Sequence, residues 1–260
     1  MGSYLRLRQI CLVARALEPA IADLADIFGL AVCYRDGNVA RYGLVNALLP
    51  IGSAFLEVVA PTREGTAAGR YLERRRGDGG YMVIIDCDDI ERRHRRMAEI
   101  GVRIANPLDY GGAYVGLQLH PRDTGGAMLE LNHTPGGKRL DGPYHPAGPD
   151  WQKAVRTDVT AALLAAELQG PDPERLARRW SEILERPLSQ DPSGAPQISL
   201  DLGLLRFVPD RDSRGEGLGG LDLAVRDRAH IRAAAARRGR PSEDDLVEVC
   251  GMRFRLSPAL

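Results

Sequence analysis

Glu130 is the side chain whose setting speaks most directly of chemistry. It closes the run His120-Pro121-Arg122-Asp123-Thr124-Gly125-Gly126-Ala127-Met128-Leu129-Glu130-Leu131. Pro121, Gly125 and Gly126 are turn formers, and the residues after them alternate as a strand does. Met128, Glu130 and Asn132 share one face, and Ala127, Leu129 and Leu131 the other. A carboxylate among apolar strand neighbours is costly to desolvate unless something pairs with it. Glu130 is therefore expected at a wet cleft or against a cation. His120, in the turn before the strand, is read first as a brace for that turn and second as a catalytic group.

Other reactive-looking residues carry less. Arg74, Arg75 and Arg76 could meet phosphates, but an exposed helix end is the simpler reading. Gly77, Gly79 and Gly80 precede a strand, whereas a phosphate loop opens a helix. His94 sits among Arg92, Arg93, Arg95 and Arg96 on a charged helix, and His133, His145 and His230 form no metal-ligand spacing.

The elements that must position these groups read as repeated modules. Residues 4–13 form a buried strand. A helix follows over 18–28, with Ile21, Leu24, Ala25 and Phe28 at helical spacing and Gly29 as its stop. Short strands are expected near 30–35, 39–46 and 53–60. The order recurs with a strand at 81–87, a helix from Asp88-Asp89 to about Ile100, and strands near 102–106, 113–119 and 127–133. The offset is roughly 75 residues. Residues 135–150 are dense in Pro and Gly and read as a linker without regular structure. A third module follows, with a strand at 157–168, a helix after Asp172-Pro173 bearing Leu176, Trp180, Ile183 and Leu184, and strand-like runs over 197–208. A fourth, abbreviated module has a strand at 218–225, a helix at 227–238, and strands at 245–250 and 252–256.

Composition excludes whole classes. Of 260 residues, Lys+Arg and Asp+Glu each number 35, so the net charge is zero. This argues against a general nucleic-acid or acidic-membrane binder. Cys11, Cys33, Cys87 and Cys250 are scattered; three lie in apolar strand-like runs, as buried thiols in a reducing compartment would. No apolar run is long enough to cross a membrane, and the chain reads as cytoplasmic.

The His-Pro, Thr-Gly-Gly, Glu-Leu run of 120–131 resembles the vicinal oxygen chelate superfamily, which includes glyoxalase I, methylmalonyl-CoA epimerase, extradiol dioxygenases and bleomycin-resistance proteins. The motif likeness is closest to the epimerases. The resemblance implies an α+β fold of tandem βαβββ modules paired into curved open sheets. It implies a vicinal oxygen chelate domain over 1–134, a linker over 135–150, and a second, degenerate half over 151–260. It also implies four positions pointing into a cleft. These fall on Gln9, Glu57, Met82 and Glu130. Family members that bind metal have a histidine where Met82 stands, and a thioether is a poor ligand for hard divalent ions. The set Gln9, Glu57 and Glu130 implies Mg or Mn rather than Zn or Ni, or no metal at all. Met82 and His120 would line the pocket.

The C-terminal half keeps no such set. Leu205, Gly220 and Arg255 stand at the matching positions, and no module supplies the two His and one Glu of an extradiol dioxygenase. Two functional readings follow. In the first the protein is a lyase, isomerase or epimerase acting beside a carbonyl, with Glu57 and Glu130 catalytic. In the second it is a non-catalytic small-molecule binding protein of the bleomycin-resistance type. Either reading takes a small-molecule ligand, and paired modules in this superfamily imply a homodimer.

Overall fold

The computed structural model describes residues 3–259. Four modules follow one another, the first βαββ and the other three βαβββ, because an isolated Tyr34–Leu48 bridge stands where the first module would have its second strand. The first holds β1 (Leu5–Val13), α1 (Leu17–Phe28), β2 (Leu44–Ile51) and β3 (Ala54–Pro61), and α2 (Ala67–Arg75) leads out of it. The second holds β4 (Gly79–Cys87), α3 (Ile90–Glu99), β5 (Ile104–Asp109), β6 (Val115–Leu119), the short α4 (Pro121–Thr124) and β7 (Met128–His133). The third holds β8 (Thr160–Gly170), α5 (Pro173–Leu184), β9 (Leu188–Gln190), β10 (Pro196–Ser199) and β11 (Leu204–Pro209). The fourth holds β12 (Gly217–Val225), α6 (Arg228–Arg237), β13 (Ser242–Glu243), β14 (Leu246–Val249) and β15 (Met252–Pro258). The described strands form two open sheets.

Several elements depart from expectation for local reasons. The stretches at 30–35 and 39–46 are not two strands. Tyr34 makes one isolated bridge to Leu48, and Gly37–Tyr42 is a 3-10 turn. Asp36 opens that turn by accepting from the Asn38 N–H at 2.9 Å, so the Asp-Gly-Asn chemistry prevails over any alternation. Helix α2 gives little periodic signal, because only Ala68, Leu72 and Arg75 turn inward; Thr66 caps it by accepting from the Gly69 N–H at 2.9 Å. The fourth module is complete rather than abbreviated. Its β13 is two residues long, too short for alternation to reveal.

The chain divides into two compact units. The first takes the N-terminal residues through Gln9, then Tyr81–His145 and Ala165–Leu218; it holds modules two and three. Here β4, β7, β6 and β5 are hydrogen-bonded in that order, as are β8, β11, β10 and β9. Module three supports the Thr-Gly-Gly turn ahead of β7. Glu216 accepts from the Gly126 N–H at 3.0 Å, Trp180 Nε1 donates to the Gly125 carbonyl at 3.3 Å, and Arg179 Nε donates to the Asp123 carbonyl at 2.8 Å. Gly126 has φ +69°, and a Cβ there would meet Leu168 at 2.8 Å, so glycine is required on both counts.

The second unit takes Ile10–Gly80, Pro146–Leu164 and Gly219–Leu260, and holds modules one and four. Its core joins α1 to α6. Phe28 and Phe254 rings lie 4.6 Å apart, His230 Nε2 meets the Asp26 carbonyl at 2.8 Å, and Arg238 Nε donates to Asp26 at 2.9 Å. Cys11, Cys87 and Cys250 are buried free thiols. No helix among the described residues is long and apolar enough to cross a membrane.

Candidate functional site

The polar face of β4, β7, β6 and β5 in the first unit gathers the groups of interest. Strand register explains how. Glu130 pairs with Gln118 of β6 and with Ile84 of β4. Gln118 pairs with Asn106 of β5. Side chains in register on neighbouring strands leave the same face, and they form a chain of hydrogen bonds. Asn106 Nδ2 donates to Gln118 Oε1 at 2.9 Å, and Gln118 Nε2 donates to Glu130 Oε2 at 2.9 Å.

Glu130 Oε1 is held by two further donors, the Tyr114 hydroxyl, in a close contact, and Asn132 Nδ2 at 3.3 Å. Glu130 is 3% exposed. Burial raises its carboxyl above the usual carboxylate range, and the three donors pull against that rise without cancelling it. Tyr114 and Tyr144 are likewise buried, and their phenols are pushed well above the ordinary tyrosine value, first by burial and then by the neighbouring carboxylate charge. Neither phenol ionises near neutral pH, so Tyr114 serves Glu130 as a donor only.

Around this centre, the segment 134–145 folds back over the sheet. Tyr144 is buried, and its hydroxyl accepts from Asn132 Nδ2 at 3.4 Å. The exposed His145 ring stacks on Tyr114 at 5.5 Å and lies 5.3 Å from Tyr110. Arg8 of β1 lies 5.2 Å from the Tyr144 ring centroid, and its Nη2 donates to the Leu140 carbonyl at 2.7 Å. Asp86 of β4, 2% exposed, has Oδ2 3.7 Å from Arg6 Nη1.

Residues 10–184, well over half of the chain, match the glyoxalase-like domain family. The protein belongs to that family, within the vicinal oxygen chelate superfamily. An ethylmalonyl-CoA/methylmalonyl-CoA epimerase of Cereibacter sphaeroides is 25% identical over 132 residues, 48% of this glyoxalase-like chain and 96% of the epimerase. A hypothetical protein from Staphylococcus aureus superposes with a TM-score of 0.68, covering 98% of this chain and 99% of its own, at 11% identity. A mutant of 4-hydroxymandelate synthase from Streptomyces coelicolor gives 0.67, covering 92% of this chain and 76% of its own, at 15% identity. At those identities the two structures establish the fold alone.

The five residues expected at the site of this glyoxalase-like protein fall as follows. Gln9, Met82 and Glu130 lie in the first unit, and all are buried. Met82 pairs with Met128 and lies on the face of Glu130, one register step along. Glu57 lies in the second unit on β3, where its Oε1 accepts from Asn46 Nδ2 at 2.7 Å. His120 caps α4: its Nδ1 accepts from the Arg122 N–H at 3.2 Å.

The donor set at Glu130 does not fit a divalent ion. A carboxylate offers about four acceptor positions, and protein N–H and O–H groups fill three of them. A cation bound there would press against those hydrogens. Among the described residues no group of three or more His, Cys, Asp or Glu could hold a metal. The remaining acceptor position, on Oε2, suits a proton or a ligand hydrogen.

Tyr114, Tyr144, Gln118, Asp86 and Arg8 were not singled out by sequence reasoning. Gln118 could have been found from the β6–β7 register. Tyr144 gave no signal, because its Pro/Gly-rich surroundings have no period.

Proposed function

We propose that the protein moves a proton at a carbon beside the carbonyl of a small acyl compound, as a lyase, isomerase or epimerase does, with Glu130 taking and returning that proton. The observation that carries this reading is a buried carboxyl with a raised pKa that three donors pin in place, leaving one of its roughly four acceptor positions without a protein donor. A general base works best when its pKa lies near the working pH, and burial moves Glu130 in that direction. Tyr114, Gln118 and Asn132 stabilise the ionised form and fix its orientation. Arg8 supplies positive charge beside this network for the enolate formed. The substrate class to test first is a malonyl-type acyl thioester, because the epimerase relative is named for such esters. The reading requires no metal: the chemistry assigned to Glu130 is proton transfer by the side chain itself.

The test is hydrogen exchange at the α-carbon of methylmalonyl-CoA in heavy water, followed by NMR. The protein as isolated is expected to exchange that hydrogen before and after chelator treatment, and Glu130→Gln to exchange it about 10²–10⁴-fold more slowly. Equal exchange in both proteins removes Glu130 from the chemistry. Binding of the ester with no exchange in either protein would favour a non-catalytic pocket.

A further inference from the structure

Two buried oxygens beside Glu130 lack what a folded interior normally provides. Asp86 Oδ1 and Asn132 Oδ1 have no hydrogen-bond partner, although Asp86 is 2% and Asn132 0% exposed. The two residues are register partners in the parallel β4–β7 pair. Their side chains therefore leave one face of neighbouring strands whose backbones lie about 5 Å apart. The other end of the Asn132 amide is committed, since Nδ2 donates to Glu130 Oε1 at 3.3 Å and to the Tyr144 hydroxyl at 3.4 Å. Two unsatisfied buried acceptors side by side are disfavoured. A single proton on one of them turns the pair into a donor and an acceptor and satisfies both.

We propose that in mildly acidic solution Asp86 is a neutral carboxylic acid whose Oδ1–H donates to Asn132 Oδ1, fixing the Asn132 amide with Nδ2 aimed at Glu130. Asp86 is then a positioning residue. Its functional part rests on the reading of Glu130 as the base, whereas its protonation does not.

The charged and titratable groups around Asp86 act in both directions. From β1, Arg6 and Arg8 favour the ionised form, and Tyr4 faces it as well; from β7, His133 favours the ionised form. Asp88, just beyond β4, opposes it, and Tyr144 reaches in from the segment after β7. Burial outweighs all of them and carries the carboxyl up to about 6. The two oxygens divide the work: Oδ2 faces Arg6 at 3.7 Å, and Oδ1 carries the proton toward Asn132.

The test is a carbon-13 NMR titration of the Asp86 carboxyl in the full chain, assigned by its loss in Asp86→Asn. The expected midpoint is about 6. Asp86→Asn places an amide N–H where the acid O–H stood. It is expected to keep the Tm at pH 7 unchanged or higher, to retain the α-hydrogen exchange, and to lose the alkaline fall of that exchange as Asp86 ionises. Asp86→Leu, which can neither donate nor accept, is expected to lose the exchange. A midpoint in the ordinary carboxylate range, with a lowered Tm for Asp86→Asn, would mean that Asp86 is an ion-pair partner of Arg6 and Arg8 to which Asn132 presents its N–H, and would overturn the proposal. Undiminished exchange in Glu130→Gln would remove the base and leave the titration result standing.

Discussion

Burial raises the Glu130 carboxyl, and Tyr114 is the donor that opposes that rise most. Tyr114→Phe removes that donor and leaves the ring in place. The Glu130 carboxyl should then rise further, so the acid limb of α-hydrogen exchange moves to higher pH and the rate at neutral pH falls. The cost in stability is about 1–3 kcal/mol while Glu130 is ionised, and it shrinks once the carboxyl is protonated; urea unfolding at two pH values measures both. Glu130 and Asp86 share a sign. Each binds its proton more tightly folded than unfolded, so each makes the fold less stable as pH rises from the unfolded carboxyl range through the folded value. For Asp86 that window runs from the ordinary value of 3.8 to about 6, worth on the order of 3 kcal/mol. Asp89, Asp201 and Asp212 have lowered values and stabilise in the opposite sense, but that contribution is lost only as pH falls below the ordinary carboxylate range. Unfolding free energy should therefore decline between about pH 4 and 6, and a flat profile across that range would contradict the burial assigned to Asp86.

Strand β6 is where backbone geometry controls the Tyr114 ring. Gly116 pairs with Asn132 and Leu108. A Cβ on Gly116 would lie 3.0 Å from Tyr114 Cε1, 3.3 Å from its hydroxyl and 3.3 Å from Leu108. Its φ is ordinary, so space and not conformation demands glycine here. Gly116→Ala should push the ring by a few tenths of an ångström and weaken its bond to Glu130. Exchange is expected to fall several-fold while stability stays within about 1 kcal/mol, because alanine favours a strand over glycine by a similar amount. A normal rate in this variant would mean that the Tyr114 contact is not needed. The same strand shows what alternation conveys and what it omits. Period-two patterning placed Glu130 and Asn132 on one face, and βαβββ repetition gave the fold. Tyr114 lies just outside β6, and Tyr144 lies in a Pro/Gly-rich segment, so no period linked them to Glu130. Asp86 stood in an apolar run that read only as a strand. Its role depends on the β4–β7 register, which is a property of two segments and not of either one.

At the scale of the whole chain, repetition and compactness divide the molecule differently. The repeats pair modules one and two as a domain over 1–134, but each compact unit draws one module from each half of the sequence. In the first unit, Leu168, Leu176 and Trp180 of module three are buried, and Leu168 and Leu176 pack against the turn that launches β7. In the second, Phe254 of module four packs on Phe28, Thr160 donates to the Phe28 carbonyl at 2.8 Å, and Arg240 and Arg238 meet Asp23. A chain ending at residue 150 would bare both of these apolar faces and strand the buried Asp23 without its cations. Each fully buried large apolar side chain contributes roughly 1.5–3 kcal/mol, so losing Leu168, Leu176, Trp180 and Phe254 together costs about as much as the 5–15 kcal/mol that holds an ordinary domain together. The shortened chain is therefore expected to show no cooperative thermal transition, weak near-ultraviolet circular dichroism and strong binding of a hydrophobic dye. Adding the separate 151–260 chain should restore the transition if the two halves complete both units. A shortened chain that melts cooperatively with native-like aromatic signals would show that modules one and two form a self-sufficient domain, and that Glu130 keeps its three donors without module three behind the turn.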